Sequence, residues 1–233
     1  MSEFIGHEPC PICGSRDNLA RYDSGSAFCF GCRRYFPTTI QNRIAAKNSP
    51  VESEKSIGLP SDYDPQYHPK EALDWISQYG FNRQRMFKYR IGWSEYNKRL
   101  VFPIITHNRL LAWQGRSFTA KPKWKTQGDI HSFLWPLKYN SNKLVLVEDI
   151  ISAYNVHEAG YGVAPLFGSH ITNAQLTGIL KNQYSEVVFW LDRDKYKEAV
   201  QMAGQIGEVG IKSSFIVTDK DPKEYKDIKG ILK

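Results

Sequence analysis

The chain has 233 residues, of which 41% are hydrophobic and 13% aromatic, and its formal net charge is +7. This length suffices for one sizeable core and a small satellite domain. No stretch approaches the ~20 apolar residues that a membrane-spanning helix needs. No charged segment followed by an apolar run opens the sequence, so we expect neither export nor a membrane partner.

Two cysteine pairs near the start of the sequence predict a metal site. The four cysteines form two CxxC pairs with fifteen residues between them: Cys10, Cys13, Cys29 and Cys32. In a chain without an export signal, such pairs are typical of metal ligands rather than disulfides. Four thiolates close a tetrahedral shell, which is the structural type of zinc site. We expect residues 1–38 to fold as a ribbon around one structural Zn²⁺, with His7 as an alternative ligand.

The sequence between and after the cysteine pairs predicts short strands. A hairpin is expected to turn at Ser24–Gly25, and residues 34–36 are expected to form a further strand. A zinc ribbon can be a protein dock, a structural staple or a nucleic-acid reader. Arg33, Arg34 and Tyr35, which follow the second knuckle directly, suit the last of these, and a solvated basic edge is the alternative.

Residues 39–58 have few large apolar side chains and no sustained period. This composition predicts a flexible linker between the ribbon and the rest of the chain. A linker of this kind would set the effective concentration of the ribbon at its target.

Residues 59–140 carry the positive charge of the chain. They hold 13 Lys and Arg against 6 Asp and Glu, whereas residues 1–58 have a net +1 and residues 141–233 a net −1. Basic residues interleaved with tryptophans suit a track for a polyanion with stacking platforms. Burial of the tryptophans in a core is the alternative, and we favour it for most of them. The tryptophans of this segment are Trp75, Trp93, Trp113, Trp124 and Trp135.

The same segment changes from a helical to a strand pattern. Residues 69–89 predict a helix that stops at Gly80 and a second short helix after it. Residues 99–106 and 110–116 then predict two strands around a His-Asn-Arg turn. A cationic loop over residues 121–125 contains three lysines and suits a phosphate clamp. We therefore expect an α+β basic subdomain over residues 59–140.

The last hundred residues alternate between apolar runs and helical patterns. The predicted strands cover residues 143–147, 163–167, 186–191 and 213–217. The predicted helices cover residues 150–158, 173–181 and 195–208. This alternation predicts an α/β domain over residues 141–233, with a mostly parallel sheet and flanking helices.

Acidic residues follow the first and third of these strands. Ligands bind beyond the carboxyl ends of parallel strands, so Glu148, Asp192 and Asp194 are expected at one sheet edge. Carboxylates gathered there repel one another unless a hard cation such as Mg²⁺ or Mn²⁺ lies between them. A pair of such ions promotes in-line displacement at phosphorus. The alternative is that each acid caps a helix, as we expect of Asp149.

The order of these parts along the chain carries a family resemblance. The motifs are Cys10-Pro-Ile-Cys13 with Cys29-Phe-Gly-Cys32, Arg99-Leu-Val-Phe-Pro-Ile104, Gln114-Gly-Arg116 with Lys123-Trp-Lys125, Leu146-Val-Glu148, Phe167-Gly168, Leu191-Asp-Arg-Asp194 and Asp221-Pro-Lys-Glu224. Together they resemble DNA primases, both the bacterial enzymes and the primase half of short-tailed-phage primase–helicases. The last four resemble the Toprim domain that primases share with topoisomerases and some nucleases.

The resemblance implies a role for each group of residues. Glu148, Asp192 and Asp194 would be catalytic and bind Mg²⁺ or Mn²⁺, and Asp221 would contribute to a further metal position. Nucleotide phosphates or template would be bound by Arg99, Arg116, Lys123 and Lys125. The template-reading surface of the ribbon would comprise Ser26, Arg33, Arg34 and Tyr35.

The implied activity is that of a DNA-directed RNA polymerase, a nucleotidyltransferase that makes short RNA primers on single-stranded DNA for replication. A ribonucleotide 3′-hydroxyl would attack the α-phosphate of the next ribonucleoside triphosphate, and pyrophosphate would leave. No GxxxxGK[ST] motif occurs in the sequence, so we expect the replicative helicase and the DNA polymerase to be separate partners. The expected location is the cytoplasm of a phage-infected or bacterial cell.

The sequence departs from the family pattern in three places. Asp149 and Ser152 stand where glycine and aspartate are usual around the glutamate, and Lys195-Tyr196 stands in place of Ala-Gly. Ser26 stands where phage relatives often have a histidine that helps to read the template. The template sequence of the relatives is therefore not expected to apply here.

Two other classes stay open at this stage. A zinc ribbon with a Toprim domain also occurs in a recombination mediator that clamps DNA without catalysis, although the helix-hairpin-helix element of that class is not evident here. A Toprim edge also serves nucleases, in which case the ribbon and its linker would have no clear role.

Overall fold

The computed structural model describes residues 3–36, 57–137 and 142–232. The chain divides into two units, Met1–Ser56 and Ile57–Lys233. The linker predicted over residues 39–58 lies outside the described residues, apart from its last two positions. Within the described ranges, no helix is long and apolar enough to span a bilayer.

The first unit contains a small antiparallel sheet. Its strands, in both chain and spatial order, are β1 (Phe4–Glu8), β2 (Leu19–Tyr22), β3 (Ala27–Cys29) and β4 (Tyr35–Phe36). The predicted hairpin is β2–β3, and Gly25 occupies its turn with a φ of +78°. Among its described residues, the buried apolar side chains are those of Cys10, Leu19, Ala20, Ala27 and Cys29. So small a core needs another source of folding free energy, as the sequence indicates.

The second unit begins with a five-stranded antiparallel sheet. Its strands in spatial order are β5 (Tyr63–Asp64), β6 (Gly92–Ser94), β7 (Arg99–Thr106), β8 (Arg109–Arg116) and β9 (Trp124–Gln127). The predicted pair β7–β8 is present, and its turn places His107 and Asn108 at positive φ. Helices α1 (Lys70–Ser77) and α2 (Arg83–Lys88) lie on either side of Gly80, where the sequence predicts the break. Strand β9 was not predicted and begins within the cationic loop.

The rest of the second unit is the predicted α/β domain. Its parallel sheet has the order β11 (Val163–Pro165), β10 (Lys143–Val147), β12 (Glu186–Phe189) and β13 (Lys212–Phe215). Helices α3 (Ile150–Glu158), α4 (Asn173–Lys181) and α5 (Tyr196–Glu208) connect the strands. The central strand β10 is buried on both faces from Leu144 to Val147, which explains its continuous apolar run. The prediction of an α/β fold is confirmed.

Helix α3 joins the two sheets of this unit. Its residues Ile150, Ile151 and Tyr154 belong to the same apolar core as helices α1 and α2. The Tyr154 ring stacks on Tyr89 with the ring centroids 3.9 Å apart. The Asn155 side chain accepts a hydrogen bond from the Arg85 guanidinium at 2.6 Å. The basic subdomain and the α/β domain therefore share a core, which fixes the distance between their functional side chains.

The tryptophans of the basic subdomain fall into two groups. Trp93, Trp113 and Trp135 are buried, with at most 5% of their surface exposed, as expected for core residues. Trp75 and Trp124 are only partly buried, and their rings contact each other edge to face at 6.0 Å. Only this second pair is available as a stacking platform among the five.

At two glycines of the second unit, an added methyl group is expected to have opposite effects on the free energy of unfolding. A Cβ at Gly92 would lie 2.5 Å from the Tyr63 ring and 2.6 Å from the Asp64 carbonyl oxygen, whereas a Cβ at Gly204 in α5 meets nothing within 4 Å. We expect Gly92→Ala to lower the free energy of unfolding by about 1–3 kcal/mol through overpacking. Gly204→Ala, the matched control, is expected to raise it by about 0.5–1 kcal/mol. Urea denaturation of both variants measures the difference, and equal effects would contradict the packing described for β5 and β6.

Candidate active site and metal centre

The four cysteines come together in the first unit. Their Sγ atoms all lie within 4.8 Å of one another, with Cys10–Cys32 at 3.8 Å and Cys13–Cys29 at 3.6 Å. Thiolates of a tetrahedral zinc site with bonds of ~2.3 Å are about 3.8 Å apart. Among the described residues, the group consists of these four side chains, and His7 is not part of it. The cysteines can hold a zinc ion in the predicted way.

Local hydrogen bonds order the two cysteine knuckles. The Gly14 amide donates to the Cys10 carbonyl at 2.9 Å, which closes the first knuckle, and the Cys32 amide donates to Cys29 Sγ at 3.5 Å. The Ser15 hydroxyl, 3.3 Å from Cys13 Sγ, lowers the pKa of that thiol to about 6. A lowered pKa favours the thiolate of Cys13, which is the metal-binding form, whereas burial raises the pKa of Cys32 to about 11.

The predicted template-reading residues of the ribbon differ in exposure. Arg33, Arg34 and Tyr35 are exposed, with Tyr35 59% accessible. Ser26 is only 6% accessible, and its hydroxyl lies 2.8 Å from that of Ser24. Its side chain is thus not presented at the surface, because it is held within the β2–β3 turn, where the Tyr22 amide also donates to the Ser26 carbonyl at 2.9 Å.

Strand register brings two of the predicted carboxylates to the same sheet edge. In the parallel pair β10–β12, Leu146 lies opposite Phe189. Glu148 therefore leaves β10 at the level where Asp192 follows β12. Both side chains line one pocket, which has a volume of about 400 Å³.

The same pocket is lined on its other side by the basic subdomain. The lining residues from that subdomain are Trp75, Tyr79, Gln114, Arg116 and Trp124. Those from the α/β domain are Glu148, Asp149, Ile150, Ile151, Phe167, Gly168, Asp192 and Lys223. Acidic groups thus face a cationic and aromatic wall across one cavity, as the sequence motifs of both parts suggested.

Two buried carboxylate oxygens in this pocket lack a partner. Neither Glu148 Oε2 nor Asp192 Oδ1 makes a hydrogen bond within the described residues. Burial, together with neighbouring carboxylates, raises the pKa of Glu148 and raises that of Asp192 to about 7. Leaving such acceptors unpaired costs free energy that a bound cation would recover. These two oxygens therefore fit a hard divalent cation such as Mg²⁺ or Mn²⁺.

Asp149 acts as the helix cap that the sequence suggested. Its Oδ1 accepts hydrogen bonds from the amides of Ile151 and Ser152 at 2.8 and 3.0 Å. Its Oδ2 accepts from the Ser152 hydroxyl at 3.0 Å and from Lys223 Nζ at 3.0 Å. Both oxygens are satisfied, so Asp149 orders the start of α3.

Lys223 places a positive charge inside the acidic cluster. Its Nζ lies 3.0 Å from Asp149, 2.9 Å from Asp221 and 3.6 Å from Asp192. Burial by itself would lower the pKa of Lys223, but these carboxylates raise it above its ordinary value. The ammonium group therefore stays charged and neutralises part of the site.

Other predicted site residues lie outside the pocket. Asp194 is 76% exposed at its side chain, pairs with Lys195 at 3.4 Å and does not line the pocket with Glu148 and Asp192. Asp221 pairs with Lys223. Lys123 and Lys125 are exposed on the loop and strand beside the pocket.

Arg99 has a different environment from the one predicted. It is 5% exposed, and its guanidinium donates to the carbonyl oxygens of Gly115, Pro122 and Lys123 at 2.9–3.2 Å. These bonds tie the cationic loop to strands β7 and β8. The Arg99 guanidinium therefore donates to backbone carbonyls rather than pointing into the pocket. The sequence motif, from which we expected Arg99 to bind phosphate or template, did not indicate this.

Arg116 combines charge with aromatic contacts. Its guanidinium carbon lies 5.2 Å from the Trp75 ring centroid and 5.7 Å from that of Trp124. Its Nε is buried without a hydrogen-bond partner among the described residues. A cation held between two aromatic faces and short of an acceptor is suited to bind a phosphate oxygen.

Sequence reasoning missed two contributors to this pocket. Lys223 lies within the quoted Asp221-Pro-Lys-Glu224 motif but received no role, although its place after the fourth strand brings it to the same sheet edge. The pair Trp75–Trp124 was not separated from the core tryptophans, because the two belong to distant segments and only the fold joins them.

Solved structures of two primases share this architecture. The primase fragment of the bacteriophage T7 primase–helicase protein matches with a TM-score of 0.53 and 19% identity, over 95% of this chain and 94% of that fragment. The zinc-binding and RNA polymerase domains of the Aquifex aeolicus primase match with a TM-score of 0.57 and 15% identity, over 96% of this chain and 76% of theirs. The chain has the fold of a DNA primase. No family model and no curated protein matches it by sequence.

Proposed function

We propose that this protein is a DNA primase that makes short RNA primers on single-stranded DNA by metal-dependent nucleotidyl transfer. The observation that carries the proposal is the pocket in which Glu148 and Asp192 face Arg116 between Trp75 and Trp124. The shared fold supports the proposal by analogy alone, since one fold serves several functions. The chemistry of the pocket is the stronger support.

Each wall of the pocket has a part in the proposed reaction. Glu148 and Asp192 hold a divalent cation, Mg²⁺ or Mn²⁺, through their unpaired oxygens. When bound, this cation supplies charge stabilisation at phosphorus and lowers the pKa of an attacking hydroxyl. Arg116 binds phosphate oxygens of the incoming nucleotide, and the aromatic faces beside it restrict the position of a base. The residues act chiefly by positioning and by electrostatic stabilisation.

The exposed groups outside the pocket receive the remaining roles. Lys123 and Lys125 contact the phosphates of the template strand, and Asp194 supplies a further carboxylate near the metal site, as the family resemblance implies. The ribbon, with its zinc ion, reads the template through Arg33, Arg34 and Tyr35. As a primase, the protein would work in the cytoplasm of a bacterial or phage-infected cell, beside a separate helicase and DNA polymerase.

An assay with labelled ribonucleotides separates the candidate activities. The full chain is incubated with single-stranded DNA, all four ribonucleoside triphosphates and Mg²⁺ or Mn²⁺. Labelled oligoribonucleotides that require the DNA support a primase. Degradation of the DNA would support a Toprim nuclease, and binding without any reaction would support a recombination mediator.

The salt dependence of DNA binding tests the role of the cationic loop. Lys125→Ala is expected to weaken binding to single-stranded DNA and to reduce the slope of log K against log [salt] by about 0.7, the loss of one phosphate contact. Lys181→Ala removes a lysine that is exposed on α4, away from the pocket, and serves as the control. Fluorescence anisotropy at four salt concentrations gives both slopes. An unchanged slope for Lys125→Ala would remove this residue from the template track.

A further inference from the structure

The acidic edge of the sheet contains a lysine where a cation site would be expected. Lys223 Nζ lies within 3.6 Å of oxygens from three carboxylates, those of Asp149, Asp192 and Asp221. Its side chain is only 20% exposed. An ammonium group is a compact point charge, so it can take the place of a small cation between carboxylates.

The position of Lys223 is fixed by its surroundings. The Asn155 side chain donates to the Lys223 carbonyl at 2.9 Å and to the Tyr79 carbonyl at 3.3 Å. Asn155 is itself held by Arg85 at 2.6 Å. The backbone that carries the ammonium group is therefore anchored to α3 and, through Tyr79, to the basic subdomain.

Asp192 divides the cluster into two sides. Its Oδ2 faces Lys223 at 3.6 Å, whereas its Oδ1 has no partner within the described residues. The other unpaired oxygen in the pocket is Glu148 Oε2. The Asp149 and Asp221 carboxylates are thus in direct contact with an ammonium group, whereas Glu148 forms no ion pair among the described residues.

We propose that Lys223 is a built-in cation that fills one of the two cation positions of this site, so that the protein binds a single divalent ion, held by Glu148 and Asp192. In two-metal sites the ions lie ~3.5–4 Å apart and share a bridging carboxylate. Asp192 has that bridging position here, between the ammonium group and the unpaired oxygens. A second divalent ion would have to displace Lys223 from three carboxylates.

The inference deepens the proposed function, and its test is the number of bound ions. Mn²⁺ binding to the zinc-loaded full chain is measured by electron paramagnetic resonance and by calorimetry, without DNA or nucleotide. The wild type is expected to bind one Mn²⁺ at the acidic site, and Glu148→Gln is expected to reduce that number to zero. Lys223→Met and Lys223→Gln are each expected to bind two, and the control Lys181→Met one.

A stability measurement gives an independent readout of the same variants. Without divalent ions other than zinc, Lys223→Met leaves its three carboxylates unneutralised, and its melting temperature is expected to fall by roughly 4 °C or more. Mn²⁺ is expected to restore most of this loss. It should raise the melting temperature of Lys223→Met more than that of the wild type, because two ions then bind.

Several results would overturn the inference. The first two are a wild type that binds two Mn²⁺ ions at the acidic site and a wild type that binds none. The third is that both Lys223 variants bind the same number of ions as the wild type. Ion counting requires no catalysis, so it remains readable if the protein makes no primers. Conversely, primer synthesis by a wild type with two Mn²⁺ ions would refute the role of Lys223 and leave the proposed function intact.

Discussion

Replacing Glu148 by glutamine is expected to reduce primer synthesis by about 10²–10³-fold or more, the effect typical of losing one group that stabilises transition-state charge. Glu148 and Asp192 contribute the two unpaired buried oxygens of the pocket, so Asp192→Asn is expected to have a comparable effect. Glutamine and asparagine keep the shape of each side chain but remove the charge that attracts a cation. Initial rates at saturating ribonucleotides measure the loss.

Measuring the stability of these variants distinguishes the loss of a catalytic carboxylate from unfolding of the protein. Burial and carboxylate neighbours raise the pKa of both groups, so ionisation there opposes folding. Glu148→Gln and Asp192→Asn are therefore expected to melt at the same temperature as the wild type or higher in the absence of divalent ions. Glu208→Gln makes the same change at an exposed position at the end of α5 and should leave both rate and stability unchanged. Normal synthesis by Glu148→Gln would contradict the catalytic assignment.

Cys29→Ser is expected to abolish stoichiometric zinc binding and to unfold the ribbon. Cys29 is fully buried among the four thiols, and only four other apolar side chains of the described ribbon residues are buried, those of Cys10, Leu19, Ala20 and Ala27. Metal binding supplies about 10–16 kcal/mol in small zinc domains, far more than such a core provides. Zinc content is measured by atomic absorption, and folding by the dispersion of amide signals from residues 3–36 in a ¹H–¹⁵N spectrum.

Arg34→Ala is the matched control for the ribbon. Arg34 is exposed beside the second knuckle and is expected to keep the zinc and the dispersed spectrum while weakening template binding. A Cys29→Ser variant that keeps one zinc ion per chain would contradict the four-cysteine site. It would indicate that another ligand completes the shell.

The parts of the fold that have a strong local signal could be predicted from the sequence. The β7–β8 hairpin follows from two apolar runs around a short polar turn, and the parallel sheet follows from alternating runs that are buried on both faces. Short strands such as β1 and β5 carry no such signal, because most of their side chains are exposed and their pairing comes from neighbours. The ribbon ligands were predictable because CxxC spacing is itself the geometry of the site.

The candidate site could be predicted only in part. Glu148 and Asp192 follow adjacent parallel strands, so the sheet brings them together. Arg99 lies in a motif that points to function, but its burial depends on contacts with distant segments. Ser26 is buried by local contacts in the β2–β3 turn. Lys223 was missed for the same reason as the burial of Arg99, since its three carboxylate partners come from three separate loops.

The central claim is that this protein starts RNA chains on a DNA template, and the fate of a γ-phosphate label tests it most directly. The full chain is given γ-labelled ribonucleoside triphosphates, single-stranded DNA and Mg²⁺ or Mn²⁺, without any primer. A primase joins the first two nucleotides and keeps the triphosphate of the first, so labelled di- and oligoribonucleotides are expected with the wild type and not with Glu148→Gln. A label that is found only in pyrophosphate or free phosphate, or products that appear only when a primer is supplied, would contradict the account.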